Sequence, residues 1–173
     1  MNADTTLFYR YIRSRSNLIY YEYAYSSLTI QLCEEPSIMS IYSIDTDTNN
    51  YNSLGNHTHQ QEELIARKLR YQYYDITNSE KEDYLNHIHD ITYMPDVIFI
   101  NGPYKIACAL HVFLEIDETR HVIINISIIN PEYKILFKYF RIENAGTNLT
   151  VLQKRLDVMF DMEDLTYYKN FDI

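Results

Sequence analysis

Glycine occurs only three times in the 173 residues, tryptophan never, and cysteine twice. Each scarcity excludes something. Gly55, Gly102 and Gly146 are too few and too scattered to build a phosphate-cradling loop, so neither a P-loop nor a glycine-rich dinucleotide fingerprint is present. Cys33 and Cys108 lie in apolar segments and make a poor disulfide framework, which reads as two reduced, buried thiols. Long hydrophobic runs are missing as well: stretches such as Val122 to Ile124 fall far short of a membrane span. Tyr9, Arg10, Tyr11 and Arg13 interrupt the apolar cluster near the N-terminus, so no signal pattern stands there. The expected location is intracellular, cytoplasmic or nuclear. Without a secretion signal, the sequons at Asn56, Asn125 and Asn148 have no route to glycosylation.

Basic residues are also in short supply, with 15 Lys and Arg against 24 Asp and Glu and a formal charge of −9. An acidic chain lacks the clustered cations that release counterions from a phosphate backbone. The local exception is Arg10, Arg13 and Arg15, which with Tyr9 and Tyr11 give a weak candidate for nucleic-acid contact on a first helix.

What is abundant is tyrosine, 18 residues of it, together with Ile, Asn and Asp. That composition matches an A/T-biased coding sequence of the kind carried by large DNA viruses and yeasts. Tyr20, Tyr21, Tyr23 and Tyr25 crowd one segment and Tyr71, Tyr73 and Tyr74 another. Tyrosine offers large contact area with few rotatable bonds, so such ladders fit either a protein-binding surface or a core short of other aromatics.

The pattern along the chain predicts a single domain over 1–173, opened by a helix with Leu7, Phe8, Tyr11 and Ile12 on one face. Strands are expected at Leu18 to Tyr25, Leu28 to Cys33 and Ile38 to Ile44, followed by an exposed polar loop over about 45–58. Ile65, Leu69, Tyr73 and Ile76 then suit one helix stripe, and Tyr84, Leu85, Ile88 and Ile91 a second, before a short strand at Val97 to Ile100. From Tyr104 to Ile116 every even position is apolar, which reads as a strand with one buried face. It opens a meander through Val122 to Ile128 and Tyr133 to Ile142. Asp117-Glu118-Thr119 and an Asn130-Pro131 turn set its registers, with Cys108 buried and His111 outside the core. Leu149, Leu152, Leu156 and Met159 fit a covering helix at three-four-three spacing.

These elements predict an α+β fold, a mainly antiparallel sheet with a C-terminal three- to four-stranded meander packed by helices. In element order it resembles longin-like and RWD-like domains, which implies an interaction module. The expected function is therefore a non-catalytic protein-protein interaction module, a subunit of an intracellular complex or a virus-encoded factor that occupies a host protein. Its contact residues would be Tyr21, Tyr23, Tyr25, Phe160, Leu165 and Tyr168, its partner a protein or a second copy of itself, and no cofactor is expected.

Catalytic constellations are weaker. His57/His59 and His87/His89 are His-x-His pairs, but i and i+2 residues of a helix point about 200° apart, leaving His57 and His59 as the metal candidates of an alternative, metal-dependent enzyme. Asp45, Asp47 and Asn49 begin like a calcium loop, yet Asn50 stands where the turn needs glycine and Asn56 where a bidentate Glu belongs. Neither cysteine has an evident base beside it, and Glu34/Glu35, Glu62/Glu63 and Asp161/Glu163/Asp164 read as solvated faces.

Overall fold

The computed structural model describes residues 3–53 and 59–171, with side chains for 3–50 and 62–171. Helix α1 (Ala3–Ile12) leads into strand β1 (Leu18–Tyr23), helix α2 (Ser27–Glu34) and strand β2 (Ile38–Asp45). Helices α3 (Thr48–Ser53) and α4 (His59–Lys68) precede β3 (Leu69–Tyr73), and α5 (Lys81–Asn86) runs through a 3-10 turn at His87–His89 towards β4 (Val97–Ile100). Helix α6 (Lys105–Glu115), β5 (His121–Ile124), a 3-10 turn at Pro131–Ile135 and α7 (Leu136–Tyr139) follow. The chain closes with β6 (Phe140–Ala145), β7 (Thr150–Lys154) and α8 (Met162–Tyr168).

The seven strands form one sheet in the order β3-β2-β1-β4-β5-β7-β6. β1 pairs in parallel with both β2 and β4, β2 with β3, and β4 with β5, whereas only β7 runs antiparallel to its neighbours β5 and β6. Parallel strands need helical crossovers, and these cover both faces. Leu18, Tyr20, Val97, Phe99 and Ile123 face α1 and α2, where Phe8, Ile12, Leu32 and Cys33 complete one core. Tyr21, Tyr23, Ile98, Ile100 and Val122 face the other core, built with Tyr84 of α5, most of α6, Tyr139 of α7 and Leu165 of α8. This is a doubly wound α/β fold.

It replaces the antiparallel α+β sheet, and with it the longin-like and RWD-like order. The segment read as the first meander strand is the buried helix α6, in which every residue from Ile106 to Phe113 is inaccessible. A helix enclosed on all sides has no polar face to reveal its 3.6-residue period. His111 is consequently inside the core, while Cys108 is buried as expected. Pro131 opens a 3-10 turn and β5 pairs with β7, so the expected meander registers do not form. The helical stripe through Leu69 and Tyr73 ends at Lys68, and the one through Leu149 and Leu152 is strand β7, leaving Leu156 and Met159 exposed. Within the polar stretch, Asp45 is buried at the end of β2 and Thr48–Ser53 is helical, while 54–58 lie outside the described residues.

The first helix is tied to the far edge of the sheet. Asp4 Oδ1 accepts from the Thr147 amide at 2.7 Å and Oδ2 from the Asn148 amide at 3.1 Å, fixing α1 to the β6–β7 turn. Among the described residues no helix is long and apolar enough to cross a membrane.

Candidate functional site

In a doubly wound sheet the ligand crevice opens beyond the C-terminal strand ends, where the strand order reverses. Here that point lies between β1 and β4. Three strand ends meet there, and each is shaped by a local feature of the sequence.

β1 ends in Tyr23, followed by Ala24 in the left-handed region at φ 76°. A Cβ there costs about 1–2 kcal/mol, so the turn is imposed by its surroundings. The Ala24 amide donates to Ile44 O at 2.7 Å, and Tyr23 O accepts from the amides of Asn101 and Gly102, both at 3.0 Å. Gly102 must be glycine because a Cβ would collide with the Tyr84 hydroxyl and stand 3.0 Å from the Ala24 Cβ. Two residues on, Tyr104 is also left-handed at φ 54° and starts α6. Asn125, just beyond β5, donates its side-chain amide to Asn101 Oδ1 at 2.6 Å.

Ser26 caps α2. Its Oγ accepts from the Leu28 amide at 3.3 Å, and its own amide donates to Thr29 Oγ1 at 3.0 Å. Thr29 Oγ1 in turn donates to Glu22 Oε1 at 2.5 Å. Glu22 is fully buried in β1, where Ser43 donates to Oε1 at 2.7 Å and Tyr20 to Oε2 at 3.0 Å. Burial pushes its carboxyl up to about 7; the Thr29, Ser43 and Tyr20 hydroxyls pull the other way, and the charge of Asp45 adds to the rise.

Asp45 closes β2 and is 2% exposed. Its Oδ1 accepts from the amides of Thr46 at 2.7 Å and Asp47 at 3.3 Å, and its Oδ2 from Asn50 Nδ2 at 2.7 Å and the Tyr71 hydroxyl at 3.3 Å. Tyr25, from the β1–α2 turn, packs edge-on against the Tyr71 ring with centroids 5.9 Å apart. Aromatic rings and a buried carboxylate thus stand together at the C-terminal ends of β1, β2 and β3.

None of the residues proposed from sequence for partner contact forms an exposed patch. Tyr21 and Tyr23 are wholly buried, Leu165 is buried, Tyr168 packs against the same core, and Phe160 stacks on Phe113 at 5.5 Å. Tyr25 is half-buried at the crevice. Of the metal candidates, His57 lies outside the described residues, and His59 opens α4 without a described side chain. Among those described, no three His, Cys, Asp or Glu side chains converge as a metal site. Arg13 pairs with Glu35 at 2.8 Å and Arg15 with Asp96 at 3.3 Å, and all three arginines are exposed.

Sequence reasoning missed Ala24, Ser26, Asn101, Gly102 and Tyr104. It saw Asp45 only as a failed calcium ligand. A strand closed by an acid about 20 residues after the first strand-to-helix turn was the available signal, obscured because that turn holds no glycine.

No protein-family model matches the chain, and no curated protein matches it in sequence. Solved structures do match in fold. A methyltransferase-like protein, spo2022 of Silicibacter pomeroyi, superposes with a TM-score of 0.73 at 13% identity, over 96% of this chain and 93% of that one. Precorrin-6y C5,15-methyltransferase of Geobacter metallireducens follows at 0.54 and 11%, over 85% and 84%. Sp1610 of Streptococcus pneumoniae, in complex with S-adenosyl-L-methionine, does so at 0.59 and 13%, over 97% and 79%. The interaction-module and complex-subunit expectation is thereby corrected. It rested on a meander the chain does not build, and these structures of its actual fold are a methyltransferase-like protein, a methyltransferase and a protein in complex with S-adenosyl-L-methionine. The chain has the Rossmann-like fold shared by these methyltransferase structures, with a mostly parallel seven-stranded sheet.

Proposed function

We propose that the chain binds S-adenosylmethionine in the crevice between β1 and β4 and acts as a methyltransferase. The observation that carries this reading is Asp45, a buried carboxylate closing β2 after the left-handed turn at Ala24. Doubly wound folds use an acid at that place to accept hydrogen bonds from ribose hydroxyls.

The remaining donor set discriminates among adenosine cofactors. A dinucleotide needs glycines so that backbone can approach its pyrophosphate, and here Ala24, Tyr25 and Ser26 carry side chains. The rim is acidic as well. Burial, then the charges of Asp75, Glu80, Asp47 and Asp45, raise the Tyr73 phenol above its ordinary value. Such a field disfavours pyrophosphate and favours a cation. S-adenosylmethionine has no phosphate and carries a sulfonium, so it fits on both counts.

When bound, the cofactor supplies an electrophilic methyl group. The chain's own part is binding and orientation. Asp45 accepts from the ribose hydroxyls in place of Asn50 and Tyr71, whose 3.3 Å bond is the weaker. The Asn101–Asn125 pair leaves the Asn101 amide group and the Asn125 carbonyl to orient the methyl acceptor. Net charge −9, with Arg13 and Arg15 already in ion pairs, favours a small-molecule or protein acceptor over nucleic acid. Two free cysteines, buried in separate cores on opposite faces of the sheet, support an intracellular setting.

Calorimetric titration tests this. The wild type is expected to bind S-adenosylmethionine and not NAD, and Asp45→Ala to bind it roughly ten- to hundredfold more weakly, as loss of a charged hydrogen-bond acceptor implies. No binding of S-adenosylmethionine into the millimolar range would overturn the reading.

A further inference from the structure

We propose that ionisation of Glu22 sets the conformation of the β1–α2 turn and thereby makes cofactor affinity depend on pH. The inference rests on the cofactor reading above for its second half only. Its first half rests on a proton count. Three hydroxyl groups, from Tyr20, Thr29 and Ser43, donate to the two oxygens of Glu22. That set satisfies a carboxylate, which only accepts. An added proton must itself be donated, so one hydroxyl has to reverse.

Thr29 is the contact through which a reversal reaches the crevice. Its Oγ1 already accepts from the Ser26 amide, completing the cap of α2. If it also accepted from Glu22, its own proton would lose its acceptor inside a buried site, a cost that loosens the cap. Burial brings the carboxyl to about 7, so both forms are populated near neutrality.

The other groups around Glu22 do not take over this titration. On β1 and β2 they are the Tyr20 phenol, raised well above its ordinary value by burial and then by Glu22, and the Asp45 carboxylate, whose charge opposes ionisation of Glu22. On α2, burial pushes the Cys33 thiol up to about 11, with Glu22 and Glu34 nearby. Lys68 of α4, lowered by burial, acts on Cys33, and Tyr9 of α1 acts on Tyr20. A cationic ligand beside Asp45 would favour ionised Glu22.

Two readouts on the full chain test the proposal: hydrogen exchange of the Ser26 and Leu28 amides, corrected for intrinsic rates, and calorimetric affinity for S-adenosylmethionine, each at pH 6 and 8. In the wild type, protection is expected to rise with pH. Affinity should rise roughly tenfold, since one group with a pKa near 7 limits the binding-competent fraction. In Glu22→Gln both should be flat. Thr29→Val, which keeps shape and removes the relay hydroxyl, should flatten the Ser26 exchange even if Glu22→Gln fails to fold. Wild-type protection that does not change between the two pH values, or pH dependence that survives in Thr29→Val, overturns the proposal. Protection that changes while cofactor binds equally at both pH values overturns the link to affinity. Protection that changes with no cofactor binding at either pH supports the turn mechanism and overturns the cofactor reading instead.

Discussion

His111 Nδ1 lies 3.0 Å from His89 Nε2, and His89 Nδ1 lies 2.5 Å from Glu115 Oε1. A carboxylate only accepts, so His89 donates from Nδ1 and, when neutral, accepts at Nε2 from His111. The far nitrogen of His111, Nε2, is then a bare acceptor, buried and without a partner among the described residues.

Burial, followed by the charge of His89, lowers the His111 pKa to about 4. The unfolded chain therefore binds one more proton than the folded chain between the ordinary imidazole value and about 4. Stability conferred by neutral His111 is complete above that window and is lost as pH falls through it, with a slope of at most about 1.4 kcal/mol per pH unit. Urea titrations at several pH values should show this slope in the wild type and a shallower one in His111→Gln. An identical slope in the variant would contradict the assignment.

Gly102 lacks room for a side chain. Gly102→Ala should destabilise the protein by about 1–3 kcal/mol through overpacking, read by chemical denaturation. Removing the hydroxyl it meets, in the double variant with Tyr84→Phe, should recover part of that loss. Strict additivity of the two changes would mean that the close approach to Tyr84 is not what excludes the methyl group.

Ala24 sits at φ 76° with a Cβ. Ala24→Gly relieves the left-handed strain but loosens the unfolded chain, so a net gain of up to about 1 kcal/mol in stability is expected. Differential scanning calorimetry would show it as a higher melting temperature; a lower one would place the strain elsewhere.

Tyr21 and Tyr23 are core residues, in edge contact at 5.1 Å. Either one replaced by alanine should cost on the order of 3–5 kcal/mol, as for other large buried aromatics. The expected result is an unfolded or strongly destabilised chain in circular dichroism. Retention of the wild-type melting temperature would show that these rings are not packed as described.

How far the fold was readable depends on where each element's information resides. Leu18–Tyr23, Ile38–Asp45 and Val97–Ile100 are visible as strands because their β-branched and aromatic content is local. That Tyr20 pairs with Ile41 on one side and Val97 on the other, both in parallel, is set by packing between distant segments and leaves no local trace. Leu28, Ile30 and Leu32 suggest a strand, yet the buried positions are Thr29, Leu32 and Cys33, the spacing of a helix face. Thr29 is polar, and its hydroxyl is what allows it to be buried beside Glu22. Ala107, Ala109 and Phe113 are apolar at odd positions and buried, and they already break the alternation attributed to 104–116. Of the crevice, Asp45, Tyr25 and Tyr71 stand out in the sequence, but not their convergence. The left-handed turn that gives it meaning is held by the Ala24 and Tyr23 hydrogen bonds, not by a glycine.

The strand order also governs the sequence of events as the chain emerges from a ribosome. β1 is the first strand made and a central one in the finished sheet. β2 can join it after a short crossover, but its other edge stays unpaired until Val97–Ile100 has been synthesised. That open edge carries Leu18–Tyr23, an aromatic, β-forming segment prone to unwanted pairing. In that unpaired strand Glu22 is solvated and ionised, a charge of the kind that disfavours pairing with another chain. One side chain would thus protect the nascent strand before it shapes the crevice of the folded one.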